Sequence, residues 1–144
     1  MADRKANAEW KGGLKDGKGK LALGSGLFEG SYSFATRMEN EPGTNPEELL
    51  GASLASCYAM ALSATLEGGG TPAKSVKVEA NVHLGKDDSG FVIKGIDLTA
   101  NAEVDGLDDA AFQAIADKTK QSCPISKALG GTKITLSATL AGAG

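Results

Sequence analysis

The chain has 144 residues and is expected to form one domain over 1–144, since a chain of this size buries roughly 70% of its unfolded surface without staples. Its net charge is −3, and no basic run or aromatic-plus-basic cluster interrupts it, which excludes nucleic acid as the expected partner. Residues 49–66 are the most apolar stretch but carry Ser and Thr and read as too polar, and marginal in length, for a membrane span, and Met1 to Lys5 lack an apolar signal core, so a cytoplasmic protein is expected.

In chain order, the first 40 residues read as short strands separated by glycine turns. Ala6, Ala8 and Trp10 alternate with polar residues, and Gly12-Gly13 and Gly24 to Gly26 break the chain. Residues 31–37 alternate again, with Tyr32 and Phe34 on one face, and predict a strand ending at Arg37. Asn45, Pro46 and Glu48 form a helix start: Asn45 as cap, Pro46 at the first position, and Glu48 completing a capping-box pattern. The helix is expected to reach about Leu66 and stop at Gly68 to Gly70. It is apolar on most faces, and its Gly51, Ala52 and Ala55 suit close approach of a second helix.

Residues 75–84 alternate cleanly, with Val76, Val78, Ala80, Val82 and Leu84 inward. Asp87 to Gly90 predicts a hairpin turn, and 91–104 a longer strand. Residues 107–121 predict a second helix capped by Asp108, with Phe112, Ile115, Ala116 and Thr119 on one face. A helical turn over 124–129 ends at Gly130-Gly131. A last strand over 133–140 carries Ile134, Leu136, Ala138 and Leu140 on one side. Together these elements predict an α+β fold with antiparallel sheet and two main helices.

The two cysteines are the chemistry-bearing residues. Cys57 sits inside the apolar helix, and Cys123 directly precedes Pro124, in a position to cap the short helix that follows. A cytoplasmic pair of this kind is catalytic or transient rather than structural. Two cysteines and one histidine, without ligand spacing, make a poor metal site. His83 falls on the polar face of its strand and reads as solvated. Apolar burial raises a thiol pKa, so a reactive Cys57 needs a cation. Arg4 lies in the N-terminal tail, which leaves Arg37 as the better source. A guanidinium needs a carboxylate to orient it, and Glu47 and Glu48 are near in sequence. Glu47 and Cys57 are ten residues apart, about 15 Å along one helix. Glu47 can therefore serve a thiol only across a helix pair from another subunit.

The run Gly43 to Leu62, centred on Cys57, resembles the central helix of the osmotically inducible protein C family, which includes the organic hydroperoxide resistance proteins. Ser122 to Lys127, around Cys123, resembles that family's second cysteine motif, and Ala8 to Gly12 and Phe34 to Arg37 extend the likeness over the chain. The resemblance implies a thiol peroxidase on an intertwined α+β homodimer. In it Cys57 is the peroxidatic cysteine, Cys123 the resolving one, and Arg37 and Glu47 activate the thiol. The position of Arg37 resembles the osmotically inducible branch. Tyr58 stands where the family pattern has phenylalanine, which would add a hydroxyl to the pocket wall. The implied partners are a hydroperoxide substrate and a dithiol reductant, a lipoyl group for some members, with no metal, flavin or haem. The competing expectation is a non-catalytic stress-related or ligand-binding module, with Cys57 as packing.

Overall fold

The computed structural model describes residues 2–141; the ends of the expected domain, residues 1 and 142–144, lie outside them. Two compact units divide the chain between Leu49 and Leu50.

The first unit holds β1 (Ala6–Lys11), β2 (Lys18–Leu23) and β3 (Glu29–Tyr32) in one antiparallel sheet of that order. Lys11 pairs with Lys18 and Gly19 with Tyr32. Gly19 is required there: a Cβ would lie 2.5 Å from the Tyr32 ring and 2.8 Å from Trp10. The two rings pack tilted at 5.6 Å.

Helix α1 (Phe34–Met38) follows, where alternation predicted continued strand. A capping box at Ser33 decides the outcome: Ser33 Oγ accepts from the Thr36 amide at 3.2 Å, and Thr36 Oγ1 accepts from the Ser33 amide at 2.8 Å. Arg37 therefore lies in the last turn of a short helix, not at a strand end. Helix α2 (Pro46–Gly68) begins as expected, with Asn45 Oδ1 accepting from the Glu48 amide at 2.8 Å. The reciprocal half of the capping box is absent. The Glu48 carboxylate instead accepts from the Thr44 hydroxyl at 2.7 Å.

The second unit begins within α2 and adds β4 (Ala73–Asp87), β5 (Gly90–Val104), α3 (Asp109–Ser122), α4 (Pro124–Ala128) and β6 (Ile134–Ala141). The β4–β5 hairpin closes at Asp87 opposite Gly90, whose φ of 116° is the left-handed backbone that favours glycine. Asp108 Oδ1 caps α3 by accepting from the Ala111 amide at 2.8 Å.

The sheet order is β4-β5-β6, and β6 runs parallel to β5, with Ile96 opposite Ile134. This corrects the all-antiparallel expectation. The α3–α4 connection crosses the sheet and returns the chain in the direction of β5. The fold remains α+β.

The core of this unit is Leu54, Tyr58, Leu62 and Leu66 of α2 against Ile96, Leu98, Ala100, Ala102 and Val104 of β5 and Phe112 and Ala116 of α3. The α2 residues recur every fourth position, a single stripe. The helix is not buried all round: Ala52, Ser53, Ser56 and Ala64 are exposed, and Met60 is 78% exposed. Gly51 is buried against β4, where a Cβ would meet Val82 at 3.3 Å, so it serves helix–sheet contact rather than helix–helix approach. By length and composition the 23 residues of α2 are long and apolar enough to cross a bilayer, contrary to the reading of this stretch as too polar and marginal in length. Its Leu54, Tyr58, Leu62 and Leu66 are instead committed to the protein core.

Candidate active site

Cys57 lies on α2 beside the buried stripe and is half-buried; Cys123 is fully buried in the core. Pro124 cannot donate to α3, so α3 ends at Ser122 and Cys123 turns extended, with φ −60° and ψ 127°. That turn aims its side chain at α2. The two sulfurs, 66 residues apart in sequence, lie 2.9 Å apart as free thiols sharing a hydrogen bond.

The elements that carry them are pinned by Tyr58. Its hydroxyl, in the core, donates to the Ala116 carbonyl of α3 at 2.9 Å. Burial pushes the phenol pKa far up, with Asp117 and Cys123 adding to the effect. The expected hydroxyl in a pocket wall is thus a core contact between α2 and α3. Phe112 of α3 is also fully buried.

The two thiols differ electrostatically. Burial pushes the Cys57 pKa up, and sharing a proton with Cys123 adds to this, while the Ile125 amide offsets part of it. Burial would also raise Cys123, but its interactions with Cys57, with Ser126 and with the Ile125 amide outweigh it and hold that thiol below its usual value. Within this unit, then, exposure favours Cys57 as the sulfur a substrate meets, whereas ionisation favours Cys123.

In the first unit Arg37 and Glu47 form an ion pair. Arg37 Nε donates to Glu47 Oε1 at 2.5 Å and to Oε2 at 3.2 Å. The carboxylate side chain is 10% exposed and the guanidinium 40%. Of the two acidic residues near Arg37 in sequence, the fold selects Glu47, because Glu48 is engaged by Thr44. Arg4 is exposed and donates to the neighbouring Asp3 carbonyl at 3.1 Å. The structure thus brings together two pairs, Cys57 with Cys123 and Arg37 with Glu47. Continuous α2 keeps Glu47 about 15 Å from Cys57 of the same chain.

Two features went unread in the sequence. One is a cavity of about 780 Å³ in the first unit, lined by Lys18, Tyr32, Ser33, Thr36, Thr44 and Glu48 among others. The other is a cluster on the exposed face of the second sheet. His83 Nε2 lies 2.7 Å from Asp97, whose other oxygen accepts from Thr135 at 2.5 Å. The Thr135 bond, then the His83 bond, hold the Asp97 carboxyl below its ordinary range. Only the β4–β5 and β5–β6 register could reveal that cluster.

The two-sheet α+β fold of this chain is one that known proteins share. Residues 38–137 match the family described as OsmC-like protein, across both units. The chain is 43% identical over 127 residues to the Escherichia coli protein named peroxiredoxin OsmC, covering 88% of this chain and 89% of that one. It is 37% identical over 101 residues to an organic hydroperoxide resistance protein of Xanthomonas axonopodis pv. citri, covering 69% and 68%. The crystal structure of the organic hydroperoxide resistance protein OhrB of Bacillus subtilis superposes with a TM-score of 0.71 at 27% identity, covering 94% of this chain and 97% of that one. The chain belongs to the OsmC-like family.

Proposed function

We propose that this chain is a two-cysteine thiol peroxidase that reduces organic hydroperoxides and, more weakly, hydrogen peroxide. One observation carries the reading: a half-exposed sulfur, Cys57, lies 2.9 Å from a buried one, Cys123. The names of the relatives, peroxiredoxin and organic hydroperoxide resistance protein, agree with it. The Cys57 thiolate attacks the distal peroxide oxygen; an S–O bond forms, the O–O bond breaks, and the alkoxide leaves with a proton as alcohol. The Cys123 sulfur then attacks the sulfenic sulfur; an S–S bond forms and the oxygen leaves as water. An external dithiol, for which a lipoylated protein is the candidate, reduces the disulfide by two exchanges and is itself oxidised. The residues need no metal, flavin or haem for these steps.

Because burial raises the Cys57 thiol, a cation has to favour its thiolate. Arg37, oriented by Glu47, is that group in this reading. The 15 Å separation along α2 then requires the pair to act on Cys57 of a second copy, so the working form is a homodimer of one-domain chains in the cytoplasm. Sedimentation at micromolar concentration should give twice 14.6 kDa; an active monomer would remove the shared site.

The raised Cys57 thiol also favours a second reading, a non-catalytic binding or stress-related module. Counting thiols before and after one equivalent of hydroperoxide separates the two. The peroxidase loses both thiols together; the module keeps both. Substrate choice is tested by kcat/KM. An alkyl group burying on the order of 100 Å² gains roughly 2.5 kcal/mol, or about 50-fold over hydrogen peroxide if realised in the transition state. Equal values for the two substrates would refute an apolar substrate site.

A further inference from the structure

Ser126 is buried, 8% exposed, and its Oγ is the buried side-chain oxygen left without a hydrogen-bond partner among the described residues. Leaving a buried hydroxyl unpaired is destabilising, so its presence calls for a second state in which it is paired. Ser126 follows Cys123 by three residues, and the helical turn started by Pro124 brings such positions together. Cys123 is the N-cap of α4, so Ser126 stands in the first turn above it, and the nearness of Ser126 and the Ile125 amide favours the Cys123 thiolate. In the dithiol that sulfur shares its proton with Cys57. The titratable groups facing Cys123 are Cys57 and Tyr58, both from α2. Tyr58 already gives its proton to Ala116 and has none to offer.

We propose that Ser126 is a positioning residue whose hydroxyl donates to the Cys123 thiolate, preparing Cys123 both to attack the Cys57 sulfenic acid and to leave when the disulfide is reduced. The inference rests on the peroxidase reading for the roles of the two sulfurs. In resolution, the Cys123 electron pair forms the S–S bond while the S–O bond of Cys57 breaks, and the departing hydroxide takes up the proton that Cys123 lost on ionising and leaves as water. In reduction, a thiolate of the external dithiol attacks the half-exposed Cys57 sulfur. The S–S bond breaks, and Cys123 departs with the electron pair into the waiting hydroxyl. The reductant's second thiol then frees Cys57. A more stable leaving thiolate leaves faster, and this directs attack to Cys57 rather than Cys123.

The test is the ultraviolet absorbance of the thiolate against pH, in the full chain carrying Cys57→Ser, with and without Ser126→Ala. Removing the hydroxyl should raise the midpoint by about one to two pH units, with the melting temperature of the dithiol protein unchanged or higher. Ser126→Thr, which keeps a hydroxyl, should restore the midpoint. In the two-cysteine chain, Ser126→Ala should slow disulfide reduction by a small dithiol several-fold. An unchanged midpoint overturns the proposal; a lower melting temperature with an unchanged midpoint assigns Ser126 a packing role and overturns it equally. Because the titration needs no peroxide, a shifted midpoint in a chain that consumes no hydroperoxide would support the hydroxyl–thiolate contact and overturn the peroxidase reading instead.

Discussion

The two units solve the problem of holding a sheet in different ways. In the first, every residue of β1 is exposed and the neighbouring strands are only partly covered, so local devices set the conformation: the Ser33–Thr36 cap, the Trp10–Tyr32 ring pair and the Arg37–Glu47 ion pair. In the second, one face of β5 is buried from Ile96 to Val104 beneath α2 and α3. The difference matches the chemistry each presents. Two thiols held 2.9 Å apart need a packed frame, because small displacements break the contact. A guanidinium can act through charge over a longer distance and tolerates a more exposed setting.

The sharpest way to break that comparison is to remove the exposed sulfur of the packed unit. Cys57→Ser should abolish hydroperoxide consumption while circular dichroism stays unchanged, since one oxygen replaces one sulfur. Full activity in the folded variant would sink the mechanism. Cys123→Ser should allow the first oxidation, leaving Cys57 as sulfenic or sulfinic acid by mass spectrometry. Turnover at the parent rate with the same dithiol would show that Cys123 is dispensable.

Stability should separate the units next. Leu62 is fully buried in the second core, and Leu62→Ala should cost about 2–5 kcal/mol in urea unfolding. Leu23 in the first sheet is 40% exposed, and Leu23→Ala should cost under about 1 kcal/mol. Equal costs would mean that the first sheet is covered as well as the second.

Arg37→Ala probes the charge rather than the packing. The Cys57 thiol, already raised by burial, should rise further, so its thiolate is lost at neutral pH and regained as pH increases. The rising limb of the pH–rate profile should move to higher pH, and each unit costs about tenfold at neutral pH. Hydrogen peroxide and an alkyl hydroperoxide should slow alike. A profile that stays in place would remove Arg37 from the activation of Cys57.

Two smaller effects sharpen the picture. Tyr58→Phe removes the hydroxyl's bond to the Ala116 carbonyl, which keeps its acceptor role within α3, and should cost about 0.5–1.5 kcal/mol without altering substrate preference. A change in preference would bring the hydroxyl back to the pocket wall. Ser33→Ala removes one cap of α1 and should cost about 0.5–2 kcal/mol by thermal unfolding.

Much of this fold is written locally. Asn45 and Pro46 start α2, Asp108 starts α3, and Asp87 to Gly90 turn the long hairpin. Caps and turns act within three or four residues, so each could be read directly. The alternation of β4 and β6 was equally legible. Local signals failed where two of them competed. Residues 31–37 alternate like a strand, yet the Ser33–Thr36 box overrides that pattern from Phe34 onward. The sequence by itself determined the elements from α2 onward, their order, and the thiol and ion-pair residues worth considering.

Tertiary structure alone decided how those elements meet. The parallel return of β6 depends on which face the α3–α4 crossover covers, a choice absent from strand periodicity. Glu47 rather than Glu48 takes Arg37 because Thr44 has already engaged Glu48. The Tyr58 hydroxyl reaches a carbonyl 58 residues away, and the Cys57 and Cys123 sulfurs meet across 66. Such contacts form only when packing brings distant segments together, so no local pattern in the chain encodes their distances.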